Sequence, residues 1–417
     1  MARTLFTDVN VIDGSGAAPY RGQVLVEEER IVAVAPAQIP LAAEGARHLR
    51  GAGATLMPGL VESHAHLSFI DIVMATDLGT IPPEEHTLQT ARSARTLLDH
   101  GFTSCFSAAS AKPRLDVAVR NAIRAGELAG PRLLAASPEL TVTSGLGDAR
   151  RWHIYQESFA LVCNGAEEFT RVARSFCRED VDTLKINPSG DTFVPHSRSR
   201  QTVMTDAEVA AVCNVAHAHG KRVAAHARSA AAIKLALRHG VEVIYHANFA
   251  DEEACDLLES AKERVFVAPT LGATLATLTH AADFGRARDP RERAALEQEL
   301  VEGIEIAKAL KRRGVRVLPG GDYGFAWNRN GSNARDLQVF VELLGFTPME
   351  AIVAATRLGG ELMQRGRELG QIRPGYLADL LLVDGDPLAD ITILQDSRRL
   401  ICIMQDGVLH KHMGGDA

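Results

Sequence analysis

The chain has 417 residues, of which 46% are hydrophobic and 23% are charged, and its formal net charge is -7. This length suits a barrel of about 250–330 residues with a smaller appended domain, and the composition excludes a largely disordered chain. The sequence has no long basic run and no apolar run of membrane-spanning length, so we expect neither a nucleic-acid partner nor a membrane partner.

The six cysteines contain no CxxC pair. Their spacing argues against a zinc–thiolate site, and their low density argues against disulfides. Residues 1–10 have no apolar region of the length found in secretory signals. We therefore expect a cytoplasmic protein.

Short alternating segments mark both ends of the chain, over residues 1–57 and 368–417. The strand-like segments are 4–12, 23–27, 30–35, 47–49, 379–383, 400–405 and 408–410. Turn residues separate them, and Asp406-Gly407 is a strong hairpin signal. The pattern predicts that the two ends pair into one small β-sandwich domain.

Strand-like and helix-like segments alternate between these ends, over residues 58–367. The candidate strands are 59–66, 102–108, 132–138, 183–188, 222–228, 242–247, 265–270 and 315–322. Four of the intervening helical segments stop just before a glycine, where a left-handed C-cap is expected. Alternation of this kind predicts parallel strands with crossover helices, and eight strands predict an α/β fold of the (β/α)8 TIM-barrel type. An open doubly wound sheet is disfavoured because no GxGxxG or Walker A motif follows the early strands.

Histidines occur where barrel enzymes keep their active sites. His64 and His66 lie two residues apart on the first predicted strand, so both imidazoles face the same side. Strands five and six carry His226 and His246, and strand eight ends at Asp322. Each residue alone has an ordinary structural explanation. Together, at the C-terminal ends of the strands, they predict an active site, and neutral imidazole is a common metal ligand.

Lys185 lies between apolar residues on the fourth predicted strand. An isolated ammonium is costly to bury there, so a lowered pKa, a salt bridge or displacement of the charge toward the surface would be needed. Reaction with CO₂ is a further possibility, because it turns the amine into a carboxylate. A carboxylate can bridge two cations about 3.5–4 Å apart.

These motifs resemble the binuclear branch of the amidohydrolase superfamily over nearly the whole chain. The segments that carry the resemblance are PGLVESHAH, LKINPSG, AAHARS, YHANF, GGDYG and LGQIRPGYLADLLLVDGDPL. Within the superfamily, the chain is similar to the group of imidazolonepropionase-like amidohydrolases, Xaa-Pro dipeptidases, and molinate and phenylurea hydrolases.

The resemblance implies two divalent metal ions as cofactors. The ligands that it implies are His64, His66, Lys185, His226, His246 and Asp322. The first histidine pair and the aspartate would bind the more buried ion, the later two histidines would bind the second, and N6-carboxylated Lys185 would bridge them. A hydroxide between the ions would be the nucleophile, with Asp322 as the catalytic general base. This ligand set suits Zn²⁺, with Mn²⁺, Co²⁺ or Fe²⁺ as alternatives.

Arg228 and Tyr323 are the residues that we expect to contact a small-molecule substrate. Arg228 follows His226 by two residues, where dipeptidase relatives often carry a substrate-facing tyrosine, but it could equally be solvent-facing. Tyr323, with Phe325 and Trp327, predicts an aromatic wall for an apolar or aryl group, or else core packing beneath a loop.

The resulting hypothesis is a metal-dependent hydrolase that cleaves a C–N bond in an amide, carbamate or urea, including N-aryl and N-acyl compounds. The alternatives are a metallo-dipeptidase or carboxypeptidase, a cyclic-amide hydrolase or deaminase, and a catalytically silent barrel subunit. The loop at 141–148 has no histidine where peptidase relatives tend to have GGH, which disfavours the dipeptidase. The lysine disfavours the mononuclear deaminases, and the intact ligand set disfavours the silent subunit. The resemblance also implies a homo-oligomer.

Overall fold

The computed structural model describes residues 2–154, 158–194 and 196–412. Its strands are β1 (Arg3–Val11), β2 (Tyr20–Glu27), β3 (Arg30–Pro36), β4 (Arg47–Arg50), β5 (Thr55–Pro58), β6 (Leu60–Ala65), β7 (Phe102–Ser107), β8 (Arg132–Leu134), β9 (Ala136–Thr141), β10 (Leu161–Val162), β11 (Thr183–Ile186), β12 (Arg222–Ser229), β13 (Val243–Phe249), β14 (Phe266–Ala268), β15 (Arg316–Val317), β16 (Leu380–Val383), β17 (Leu400–Gln405) and β18 (Val408–His412). Its α-helices are α1 (Asp77–Thr80), α2 (Pro83–Asp99), α3 (Leu115–Arg124), α4 (Ala166–Arg178), α5 (Asp206–Ala218), α6 (Ala230–Arg238), α7 (Glu252–Ser260), α8 (Leu271–His280), α9 (Pro290–Arg312), α10 (Arg335–Leu344), α11 (Pro348–Ala355) and α12 (Arg357–Leu362).

All eight predicted barrel strands form, and neighbouring strands are parallel. One sheet contains β6, β7 and β8, and a second contains the seven strands in the order β10-β9-β11-β12-β13-β14-β15. The third predicted strand is divided into β8 and β9 at Ala135, whose carbonyl accepts hydrogen bonds from the amides of Asp182 and Thr183. Because β8 belongs to the first sheet and β9 to the second, the two sheets meet at Ala135. At the other junction, between β6 and the segment after β15, the Ser63 hydroxyl donates a hydrogen bond to the Pro319 carbonyl. The chain therefore forms a (β/α)8 barrel.

Helices cover the outside of the barrel because every other strand residue is apolar and faces them. On β11, Leu184 and Ile186 pack in the large core between strands and helices, so Lys185 between them faces the interior. The predicted helix ends are also confirmed, for example by Gly101 after α2 and Gly240 after α6, with φ of 85° and 81°.

The two chain ends share one sheet in the order β18-β17-β16-β5-β1-β2-β3, with β4 also on β1. A bulge after Phe6 divides β1, so that its first half pairs with β4 and its second half with β5. The buried apolar side chains of this sheet form a core of their own, in agreement with a β domain built from both chain ends. The predicted hairpin at Asp406-Gly407 joins β17 to β18, with φ of 47° and 73°.

Arg132 fastens this sheet to the barrel. Its guanidinium contacts the Asp379 carboxylate at 2.7 Å and also pairs with Asp406. These contacts connect β8 of the barrel with the returning C-terminal segment. Among the described residues, no helix is both long enough and apolar enough to cross a bilayer.

Candidate active site

One pocket at the C-terminal ends of the barrel strands is lined by all the predicted metal ligands, which are His64, His66, Lys185, His226, His246 and Asp322. Polar and aromatic side chains line the cavity together, as is typical of small-molecule sites. The strands deliver these side chains from separate parts of the sequence, so the pocket depends on the closed barrel.

His64, His66 and Asp322 form the inner part of the site. Asp322 Oδ1 lies 3.1 Å from His66 Nε2 and 3.8 Å from His64 Nε2. The His66 ring is oriented by a 3.2 Å hydrogen bond between Nδ1 and the Ala109 carbonyl. The His64 ring stacks on Tyr245 with a centroid separation of 3.7 Å, and its Nδ1 is buried without a hydrogen-bond partner among the described residues.

His226 and His246 form the outer part, with ring centroids 4.3 Å apart. His226 Nε2 lies 3.3 Å from the Gly190 carbonyl and 3.5 Å from Asp191 Oδ2, while His246 Nδ1 contacts the Thr270 hydroxyl. These contacts leave Nδ1 of His226 and Nε2 of His246 for a cation. Second partners of this kind fix the orientation of metal-binding imidazoles.

The protonation states of this cluster suit metal binding. Burial lowers the pKa of His64 and His246 well below the usual value, and lowers the pKa of His226 to about 3, so all three rings are neutral near pH 7. Burial opposes ionisation of Asp322, but His64 and His66 outweigh it and hold the pKa of this carboxyl far below its ordinary range. Neutral imidazoles and an ionised carboxylate are the ligand forms of these groups.

Lys185 is fully buried between Glu139 and Tyr245. Its Nζ lies 3.9 Å from Glu139 Oε1 and 4.6 Å from the Tyr245 ring centroid. Burial lowers the pKa of Lys185, although Glu139 and Asp322 act in the opposite direction. The buried position of Lys185 is therefore accompanied by both a lowered pKa and an ionic contact with Glu139. Its ammonium group does not reach the surface.

Glu139 was not anticipated from the sequence. It lies on β9 directly beside Lys185 in the strand register, and its Oε2 accepts a 2.8 Å hydrogen bond from Asn187. The one sequence feature that could have indicated a role for Glu139 is its position at the end of the third predicted strand. Without the strand register, however, a single glutamate after a proline cannot be distinguished from a surface glutamate.

The residues present fit a divalent cation. His64, His246 and Asp322 each offer a ligand atom, and these atoms lie within 4.8 Å of one another. The buried, unpartnered Nδ1 of His64 indicates that this environment is completed by a group outside the chain. Histidine nitrogens with carboxylate oxygens form a donor set suited to zinc and neighbouring transition metals.

Arg228 is buried, so its interpretation as a solvent-facing arginine is wrong. It lines the pocket, but its guanidinium donates to Asp191 at 2.6 Å and to Asn248 at 2.8 Å and also pairs with Glu299. Burial disfavours its charge, yet Asp191 and Glu299 outweigh this and raise its pKa. Two carboxylates that were not anticipated from the sequence therefore neutralise the predicted substrate contact.

The aromatic wall forms only in part. Phe325 and Trp327 line the pocket and stack at 5.5 Å, and Phe69, Phe159 and Phe193 extend the apolar surface. Tyr323 does not line the pocket, which corrects its predicted substrate contact. Its hydroxyl instead donates to Asp336 Oδ1 at 3.0 Å, and the side chain is completely buried. The cause is a left-handed φ of 54° at Asp322, which redirects the chain after the strand end.

The chain is similar to known proteins over almost its whole length. The sequence profile described as "Amidohydrolase family" matches residues 55–409. An ochratoxinase from Aspergillus niger is 26% identical, with 97% of this chain and 86% of that protein aligned. An imidazolonepropionase from Salinispora arenicola is 25% identical, covering 91% and 90%. The crystal structure of a prolidase complexed with N-methylphosphonate-L-proline is 28% identical, covers 99% and 100%, and superimposes with a TM-score of 0.89.

Proposed function

Because this chain belongs to the amidohydrolase family and is a hydrolase acting on C–N bonds, we propose that it cleaves an amide, carbamate or urea with two divalent metal ions and Asp322 as general base. The observation that carries the proposal is the convergence of four histidines, Lys185 and Asp322 on one pocket. Isolated polar residues at strand ends have structural explanations, but none explains six such residues around one cavity.

The proposed ligands are those of the pocket. As the resemblance implies, His64, His66 and Asp322 would hold one ion, and His226 and His246 would hold the other. The group whose ligand atoms lie within 4.8 Å of one another, His64, His246 and Asp322, contains residues of both sets, which supports two ions held side by side. Lys185 would bridge them after its neutral amine adds CO₂ and releases a proton, giving an N6-carboxylate. When bound, the ions would lower the pKa of water and polarise the scissile carbonyl.

Asp322 is the proposed general base, and it lines the pocket beside His64 and His66. It would accept a proton from the attacking water and pass it to the leaving nitrogen. The phenylalanines and Trp327 along the wall exclude bulk water and offer a surface for an aryl or acyl group. The substrate is accordingly a small molecule with an apolar portion next to the scissile bond.

The test is amine release by protein stripped with a chelator and reloaded with Zn²⁺ or Mn²⁺, across matched N-acyl and N-aryl amides, carbamates and ureas. We expect turnover of at least one bond class, and a loss in kcat of roughly 10²–10⁴-fold in Asp322→Asn. The exposed Asp283→Asn serves as the matched control and keeps full activity. Metal-loaded protein that cleaves none of these classes would contradict the proposal.

A metallo-dipeptidase is the second candidate, favoured by the similarity to a prolidase bound to a proline derivative. The loop at 141–148 opposes it, because this loop contributes Leu146 to the pocket and contains no histidine. Cleavage of Xaa-Pro dipeptides faster than of N-acyl and N-aryl amides would favour this candidate. Release of ammonia from a heterocycle would instead favour a deaminase.

A further inference from the structure

The turn after the first barrel strand joins two side chains that line the pocket. It comprises Leu67–Phe69 and follows directly on His66, which is a proposed metal ligand. Phe69 stacks on the His66 ring with a centroid separation of 4.1 Å, and both rings line the pocket. The conformation of this turn therefore affects the position of a ligand ring and of one part of the aromatic wall.

Two hydrogen bonds fasten the turn to the segment that follows β7. The Ser68 hydroxyl accepts from the Ala111 amide at 2.8 Å, and His66 Nδ1 contacts the Ala109 carbonyl at 3.2 Å. Residues two apart on one segment thus contact residues two apart on the other. These contacts orient the His66 ring, but neither of them engages the main-chain carbonyl of Ser68.

His86 on α2 binds that carbonyl. Its Nε2 lies 2.6 Å from the Ser68 carbonyl oxygen, so Nε2 carries the proton and donates it. The side chain is completely buried, and its Nδ1 has no hydrogen-bond partner among the described residues. Burial lowers the pKa of His86, the hydrogen bond to Ser68 opposes this, and the charge of Lys112 lowers the pKa further. The neutral ring therefore makes one hydrogen bond in the described part of the chain, and that bond goes to the turn.

We propose that His86 is a positioning residue for the metal centre, because it holds the turn so that His66 presents Nε2 to the inner ion. This inference rests on the proposed function. Partners beyond the ligand itself fix the orientation of a metal-binding imidazole. The support comes from a helix of 17 residues, and helices hold functional groups more precisely than loops do. Without the donor, the buried Ser68 carbonyl loses this hydrogen bond and the turn shifts toward another partner.

The test measures the affinity of each metal equivalent in the full-length protein by titration with Zn²⁺ against a chromophoric chelator. Replacement His86→Phe keeps a ring but removes the donor, whereas His86→Gln keeps an N–H near the place of Nε2. We expect His86→Phe to weaken one of the two equivalents by roughly 10- to 100-fold and to affect the other less, because His66 binds one ion only. His86→Gln should restore most of the lost affinity.

Thr90→Val is the matched control for damage to the helix. Thr90 lies one turn further along α2, and its hydroxyl donates to the main-chain carbonyl of His86 at 2.8 Å. The variant therefore disturbs the same part of α2 but leaves the contact between His86 and Ser68. Thermal unfolding of the metal-free variants measures how far each one is destabilised, and Thr90→Val should bind both equivalents with full affinity.

The outcomes distinguish the positioning role from the proposed function. The inference is overturned by unchanged affinity in His86→Phe, by an equal loss in His86→Gln, or by an equal loss in Thr90→Val. In each of these cases, amine release by the unmodified protein leaves the proposed function standing. An unmodified protein that binds no Zn²⁺ overturns both.

Discussion

The buried cluster of Arg228, Asp191 and Glu299 gives a quantitative prediction for stability. Replacement Arg228→Met keeps an unbranched apolar stem but removes the guanidinium that contacts Asp191 at 2.6 Å and pairs with Glu299. Removing one partner of a buried ion pair typically costs about 3–5 kcal/mol, because the remaining charge is left in a low-dielectric environment. We expect a loss of that size in the free energy of unfolding near pH 7.

The pH dependence follows from the two carboxyls left behind. Burial already raises the pKa of Glu299 even with Arg228 present, and Arg228 is what holds the pKa of Asp191 below its usual value. Without the arginine, both pKa values rise above those of the unfolded chain. Stability from a raised carboxyl pKa is present at low pH and is lost as the pH rises through that pKa. The defect of Arg228→Met should therefore shrink from pH 8 to pH 5.

The assay is urea unfolding of proteins with equal metal content at pH 5 and pH 8. The matched control is Arg238→Met, because Arg238 contacts Asp206 at 2.7 Å with both side chains more than half exposed. Surface pairs of this kind contribute about 0–1 kcal/mol. If Arg228→Met costs no more than Arg238→Met, or costs the same at both pH values, the reasoning about the buried cluster is refuted.

Three further predictions concern the site itself. Thr270→Val removes the hydroxyl that contacts His246 Nδ1, so metal affinity should fall roughly 10–100-fold in competition with a chromophoric chelator, and an unchanged affinity would contradict this. Phe325→Ala opens the aromatic wall, so KM should rise for aryl amides but not for small alkyl amides; equal changes would refute an aryl contact. Chelator treatment should abolish amine release and Zn²⁺ should restore it, and turnover by metal-free protein would contradict the metal requirement.

The fold was largely predictable because its signals are local. Alternating strand and helix segments, and glycines such as Gly101 after the helices, describe the barrel without long-range information. The division of the third strand at Ala135 was not predictable, because it depends on hydrogen bonds from Asp182 and Thr183, far along the sequence. A continuous apolar stretch carries no signal for such a break.

The residues of the candidate site could be predicted where they lie at the ends of regular strands. Side-chain directions could not be predicted where the backbone adopts a left-handed conformation. His246 follows the inward-facing Tyr245, so simple alternation would turn it outward, yet its φ of 76° brings its ring to the pocket. A similar left-handed residue at Asp322 redirects Tyr323 into the core. Non-glycine residues with such conformations cannot be identified from residue type alone.

The partners of the cationic residues were also beyond sequence reasoning. Each of these partners lies far in sequence from the cation that it contacts. Arg228 contacts Asp191 on a loop and Glu299 on α9, and Lys185 contacts Glu139 on β9. Their carboxylates change Arg228 from an apparent substrate contact into a neutralised structural cation. Only the closed barrel brings these groups together.

The most direct test of the central claim is metal content per chain, measured beside Lys185→Ala and a control variant, Lys308→Ala. Lys308 is partly exposed on α9 and pairs with Glu305, and circular dichroism confirms that each variant is folded. We expect about two equivalents in the unmodified protein and in Lys308→Ala, and a sharp fall in Lys185→Ala, because the bridging carboxylate is lost. One equivalent that is unaffected by the loss of Lys185 would contradict the binuclear site and its carboxylated lysine.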